Sequence, residues 1–155
     1  MKKILSLLAT AVLALTFVSC SSDDDEVAPK QAAFIGNWKT YSQHFTMLKN
    51  GNIVEEETSY YTEEDYMLWS FRNDYTFTDV TVEEAEANTY IGTWFSSGNK
   101  LYMNYKDVDM GYEWTDDYTI SSCNSSTFII QFTETETVGN ITYDYITEYT
   151  FKKQN

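Results

Sequence analysis

From Phe34 onward apolar and polar residues alternate one by one, and this period of two constrains the fold more than any other feature of the chain. Tyr112, Trp114, Tyr118 and Ile120 share one parity, opposed by Glu113, Thr115, Asp117 and Thr119. Ile141, Tyr143, Tyr145, Tyr149 and Phe151 alternate with Thr142, Asp144, Glu148 and Thr150. Leu101, Met103 and Tyr105 form a third such set, and Phe128, Ile130 and Phe132 a fourth. One apolar and one polar face per strand marks antiparallel sheet with a single buried side. The Thr, Tyr, Ile, Phe and Trp that dominate these runs suit a pleated surface.

Turn residues fall between the runs: Asn50-Gly51, Asn73-Asp74, Ser97-Gly98-Asn99, Gly111, Cys123 to Ser126, and Gly139-Asn140. They tolerate positive φ or close an Asx turn, as tight hairpins require. The spacing predicts an all-β fold of about eight or nine strands, a barrel or a sandwich. Thr81 to Ala87, rich in Glu, reads as a short helix or loop. The 155 residues fit one domain. Aromatics make up 17% of them, enough to offset the ordering entropy that keeps charged chains disordered. A net charge of −14 excludes a nucleic-acid partner, which needs a field of Lys and Arg.

Lys2 and Lys3 precede an apolar run from Ile4 to Val18, shorter than the roughly 20 residues that span a bilayer. This reads as a signal peptide over residues 1–19. The run ends at Phe17-Val18-Ser19-Cys20, which resembles the lipobox of bacterial lipoproteins, with Cys20 as the acylated (palmitate-type) lipid anchor. Residues 20–33 carry Asp23-Asp24-Asp25-Glu26 and the single Pro29, the composition of a flexible, self-repelling tether. An acidic run just after the lipidated Cys also resembles the surface-export signal of Bacteroidota lipoproteins. Those resemblances imply an outer-membrane, lipid-anchored, surface-exposed protein whose membrane partner is reached through the N-terminal lipid.

Phe34-Ile35-Gly36-Asn37-Trp38 is echoed by Tyr90-Ile91-Gly92-Thr93-Trp94, which suggests two strands that enter the core alike. The Gly36-x-Trp38 opening, the Phe71 to Phe77 hairpin with an aromatic on either side of its turn, Gly92-Thr93-Trp94, Gly98-Asn99-Lys100-Leu101 and a long Tyr-rich final strand follow in order. Together they resemble the small lipocalin-like domain of Bacteroidota lipoproteins, over residues 34–155. The resemblance implies an up-and-down antiparallel barrel with a ligand-binding interior and no catalysis. It makes Gly36, Trp38 and Gly92 barrel-closing residues. Lipocalins set an Arg of the last strand over the first-strand Trp; here Lys152 and Lys153 stand there, and a Lys takes that place as a cation–π partner.

Residues for other chemistries are scarce. His44 is the single His, Cys123 the single Cys of the domain, and Gly-x-Ser-x-Gly is absent, so nothing pairs a nucleophile with a base. No cofactor and no transition-metal site is expected without clustered His and Cys. Asp107-Val108-Asp109-Met110-Gly111 begins like a calcium loop but lacks its later ligands, so a solvated turn is the default. Acidic runs at Glu55 to Glu57 and Glu63 to Asp65 read as solvated loop surface.

Candidate ligand-binding residues are the inward-parity rings and their neighbours: Trp69, Phe71, Trp94, Met103 and Tyr105, then Trp114, Asp116, Tyr118, Phe132 and Tyr145. Asp116 shares the inward parity of Trp114 and Tyr118, so a buried carboxylate there needs a donor or a polar ligand group, unless a bulge turns it outward. In the first strand, strict alternation sends Thr40, Ser42 and His44 inward with Trp38; a bulge near Thr40, the preferred reading, buries Tyr41 and Phe45 instead. Two functions follow. One is a binding module for a small hydrophobic or amphipathic ligand. The other is a filled barrel serving as accessory subunit of a surface complex or contacting a glycan, with Tyr60, Tyr61, Tyr66 and Tyr102 as contact rings.

Overall fold

The computed structural model describes residues 31–107 and 110–155. Cys20, the signal peptide, most of the tether and two residues of the Asp107 turn lie outside the described residues. A single 3-10 turn (Gln31–Ala33) leads into nine strands: β1 (Gly36–Lys49), β2 (Asn52–Tyr60), β3 (Tyr66–Phe71), β4 (Thr76–Glu83), β5 (Glu86–Ser97), β6 (Lys100–Lys106), β7 (Glu113–Cys123), β8 (Thr127–Val138) and β9 (Ile141–Gln154). Every pairing is antiparallel, in the order β2-β1-β3-β4-β5-β6-β7-β8-β9. β1 also pairs with β9, so β1 and β3 to β9 close an eight-stranded barrel. The all-β, up-and-down barrel expected from the alternation is the fold.

The anticipated turns lie where their residues placed them, with Gly51, Gly98, Gly111 and Gly139 all at positive φ. Thr81 to Ala87 corrects the helix-or-loop expectation. Both strands run through it, and the hairpin turns on Glu84 (φ 50°) and Ala85 (φ 66°) alone. Two successive left-handed residues form the turn whose twist matches paired strands, but the usual Asn and Gly are missing, which hid it in the sequence. Tyr112 is also corrected: it lies before β7 and is exposed.

The barrel is closed at one end and open at the other. At the closed end Phe34, Trp38, Trp69, Phe71, Phe77, Trp94, Phe128 and Phe151 are buried against one another. Phe34 contacts Phe71, Trp94 and Phe128 edge-on, at centroid distances of 5.3–6.5 Å. The Trp38 indole N–H donates to the Phe34 carbonyl at 2.7 Å. Lys153 donates to the Ile35 carbonyl and sits 5.0 Å over the Trp38 ring, the cation–π contact expected of the last strand.

Two interruptions open the other end. β1 and β9 shift register between Thr40 and Ser42, so Tyr41 bulges out and is 51% exposed rather than buried as expected. Thr40, ahead of the bulge, stays inward and buried; its hydroxyl accepts from the Met67 N–H at 2.8 Å, where the β1–β3 ladder ends. Beyond it the β1 edge pairs with β2. On the far side, the β7–β8 ladder begins at Thr119 opposite Gln131 and runs only toward the closed end. Yet β6–β7 and β8–β9 both continue toward the open end, to Lys106–Glu113 and Val138–Ile141. The open end is therefore two separate sheets, a wall of β3 to β7 and a four-stranded leaf of β2, β1, β9 and β8.

Candidate functional site

Past the bulge, parity on β1 reverses, so Gln43, Phe45 and Met47 take the inner face of the leaf and His44 the outer. His44 Nδ1 lies 2.8 Å from Thr58 Oγ1 and Nε2 lies 3.0 Å from Glu56 Oε1. Cys123 is in the closed-end part of β7, paired with Phe128. Burial pushes its thiol up to about 11, although Lys153 pulls the other way. His44 and Cys123 therefore lie at opposite ends and form no pair.

The mouth holds a cavity of about 390 Å³. Its walls are Gln43 and Tyr149 of the leaf, Met67, Thr81 and Val82 of the wall, and Tyr61 and Asp65 of the β2–β3 loop. The Tyr61 hydroxyl donates to Gln43 Oε1 at 3.0 Å and thereby ties the loop to the leaf. Burial raises its pKa well above the ordinary tyrosine value, so it stays a neutral donor.

Thr81 connects this cavity to a polar ring in the lumen. Its hydroxyl donates to Asp79 Oδ1 at 3.2 Å, and the Tyr105 hydroxyl donates to Asp79 Oδ2 at 3.1 Å. The buried Trp69 indole N–H leans on the same carboxylate without completing a hydrogen bond. Across the lumen the Tyr118 hydroxyl donates to Asp116 Oδ2 over a long 3.5 Å. Burial raises the pKa of both carboxyls. It is countered at Asp79 by the Tyr105 hydroxyl and reinforced there by the Asp116 charge.

No cation of the described residues answers them. The ion pairs are Lys39–Glu63, Lys100–Asp117, Lys106–Glu113 and His44–Glu56, all with exposed partners. Among the described residues no group of three His, Cys, Asp or Glu side chains gathers to hold a metal. The Asp107 turn is held by the Met110 and Gly111 N–H groups, which donate to Asp107 Oδ1 and its carbonyl.

The ten ring and lumen residues divide in two. Trp69, Phe71, Trp94 and Met103 are packed into the closed end, where they fill the barrel, and Tyr105 caps that core with its hydroxyl on Asp79. Trp114, Asp116, Tyr118, Phe132 and Tyr145 lie toward the open end and are only partly buried. Asp116 points inward, paired across the ladder with the buried Met103, so no bulge turns it outward. Trp114 stacks on Tyr105 at 4.8 Å, and Tyr118 lies 6.0 Å from Phe132. Asp79 was missed by the sequence reading. It shares the parity of Phe77, and following the alternation two residues past that ring would have found it.

Of the four tyrosines considered as contact rings, Tyr60, Tyr61 and Tyr66 all line the mouth cavity, and Tyr102 lies apart from them. Tyr60 is exposed against Tyr41, Tyr61 turns into the mouth, Tyr66 lies under the Lys39 ammonium, and Tyr102 stacks on Phe95 on the outer face. A wider groove of about 730 Å³ crosses the outer face of β4 to β7 between Arg72, Thr78, Ile91, Thr93, Asn104 and Thr115. Its walls are mainly outward-parity side chains, but over the bare Gly92 backbone the inward-set rings Phe77, Tyr105 and Trp114 also reach it, so two of the candidate ligand residues, Tyr105 and Trp114, line this groove. No helix among the described residues is long and apolar enough to cross a membrane.

No protein-family model and no curated protein matches the chain. Among the solved structures similar to it are two from Bacteroides. One is a lipocalin-like protein from Bacteroides uniformis ATCC 8492, 14% identical, covering 79% of this chain and 99% of that one with a TM-score of 0.49. The other is an uncharacterized protein from Bacteroides eggerthii DSM 20697, 9% identical, covering 77% and 98% with a TM-score of 0.47.

Proposed function

We propose that this protein is a non-catalytic binding module, a lipocalin-like barrel that takes one small, partly apolar ligand at its open end. The supporting observation is the asymmetry of the lumen: rings fill the closed end, while the mouth keeps a cavity of about 390 Å³ lined by Tyr61, Gln43, Met67 and Tyr149. Volumes from about 300 Å³ upward with a few placed polar groups suit small molecules. A Cys20-linked lipid holds the module on the outer membrane with the barrel facing outward. Native mass spectrometry of the protein purified from its own host tests the binding. A small molecule released at one copy per chain supports the reading, and its repeated absence counts against it. For the anchor, Cys20→Ala is expected to move the protein from the membrane to the soluble fraction; unchanged fractionation would remove that part of the proposal.

A second reading, an accessory subunit of a surface complex, is favoured by the leaf. Its outer strand β2 is exposed, its central strands are only half-buried, and Phe45, Met47, Tyr143 and Tyr145 share the inner face by register. Such a face suits a partner or a glycan.

A further inference from the structure

We propose that the groove on the outer face of β4 to β7 is a second binding site, separate from the mouth, for a sugar chain with one acidic unit. Arg72 holds the carboxylate of that unit, and side chains of the sheet hold the hydroxyls beside it.

Outward side chains of paired strands line up across a sheet, and here the register puts polar ones in one row. Thr76 of β4 faces Thr93 of β5, Thr93 faces Asn104 of β6, and Asn104 faces Thr115 of β7. Four strands at the usual spacing make this row about 14 Å long. Arg72 stands at its β4 end. Its Nη1 donates to Thr76 Oγ1 at 3.4 Å and its Nη2 to Thr78 Oγ1 at 2.7 Å, which lays the guanidinium against the groove. Arg72 forms no ion pair among the described residues. The Asp74 carboxylate beside it accepts instead from the Thr76 N–H and hydroxyl. Midway along the row, Asn104 Oδ1 accepts from the Thr115 hydroxyl at 2.8 Å, and the Asn104 amide N–H groups have no acceptor among the described residues. The row thus offers donors that the protein leaves unmatched.

The floor supplies the other half. Over the bare Gly92 backbone the Phe77, Tyr105 and Trp114 rings reach a groove of about 730 Å³. A pyranose has the complementary build, with apolar C–H faces and hydroxyls around its edge. An acyl chain would leave the Thr and Asn groups of the row desolvated and unpaired. A peptide is gripped along a free strand edge, whereas β4, β5 and β6 are paired on both sides. A guanidinium without a carboxylate of its own recognises one on the ligand through two parallel hydrogen bonds. The net charge of −14 repels a polyanion, so the acid is one unit of an otherwise neutral chain.

The test is binding of the purified protein to arrayed oligosaccharides in matched pairs. Each pair is a neutral gluco-, galacto- or manno-chain and the same chain ending in the corresponding uronic acid, with affinities of the bound pairs taken by titration calorimetry. At least one uronic chain is expected to bind tenfold or more tighter than its neutral partner. Arg72→Gln is expected to erase that difference, and Arg72→Lys to keep part of it. Thr93→Val, at an exposed strand position, is expected to weaken both members of the pair several-fold with the melting midpoint unchanged. Equal binding within every pair, or no binding to any chain, overturns the proposal. A preference that survives Arg72→Gln, or sugar affinity untouched by Thr93→Val, overturns it as well. So does tighter binding of the peptide Gly-Asp-Gly-Thr-Gly than of any sugar. All of these results leave the mouth cavity standing, because octanol binding there is read separately and is expected to be the same in all three variants.

Discussion

At Gly92 a side chain has nowhere to go. An added Cβ would run into the Asn104 carbonyl oxygen and approach the Phe77 ring to 2.7 Å. The bare backbone lets Phe77 and Tyr105, its two ladder partners, meet edge-on at 4.9 Å. Because the obstacle is backbone of a paired strand, Gly92→Ala is expected to destabilise the barrel by about 2–3 kcal/mol, the upper range for overpacking, read from the urea midpoint. Gly36 serves a different need: its φ of 130° suits glycine, and a Cβ would approach the flexible end of Lys153. The two Gly-x-Trp segments thus share a buried Trp and differ in why the Gly is required. Asp79 carries a pH prediction. Burial raises its pKa above the unfolded value near 3.8, so folding favours its protonated form. Its stabilising contribution is complete below that value and is lost as pH climbs through the raised one. Asp79→Asn removes the titration while keeping an acceptor for Tyr105. The stability of the variant relative to the parent should therefore rise with pH across that window, and a pH-independent difference in urea unfolding would contradict it.

Among the elements, the β4–β5 hairpin carries avoidable strain. Glu84 and Ala85 both occupy the left-handed region, which disfavours residues with a Cβ. Replacing them with Asn and Gly should stabilise the protein by roughly 1 kcal/mol, seen as a higher thermal midpoint with unchanged ligand behaviour. This is also where the sequence was hardest to read, because turn type here is decided by strand pairing on both sides rather than by the turn residues. Elsewhere the alternation was legible: the inward sets on β6, β8 and β9 lie on one face, as their parity required. On β1 the parity reverses at Tyr41, and the sequence signalled only that a bulge belonged near Thr40. Which residue would be expelled depended on the Thr40 hydroxyl ending the β3 ladder, a contact 27 positions away. Inward parity likewise did not separate rings that fill the barrel from those that line its mouth. That division is set by where β7 and β8 part.

For the whole molecule, closure and opening are consequences of one topology. β1 and β9 run 14 residues each, longer than most strands that flank them, so once the barrel has closed their surplus length projects as a leaf. The core gathers where all eight strands remain paired, and the lumen turns polar beyond Thr40 and Thr119, where they do not. Three indole N–H groups report on the closed end directly, because Trp38, Trp69 and Trp94 are buried there. The most direct measurement is a two-dimensional ¹H–¹⁵N spectrum of the protein titrated with octanol, a small, partly apolar probe. The expected result is a saturable shift of the Gln43, Met67 and Tyr149 amides, which line the mouth cavity, with the Trp38 and Trp94 indoles unmoved. Shifts concentrated instead at Thr78, Thr93 and Asn104 would place binding in the outer groove and contradict a ligand site at the open end of the barrel.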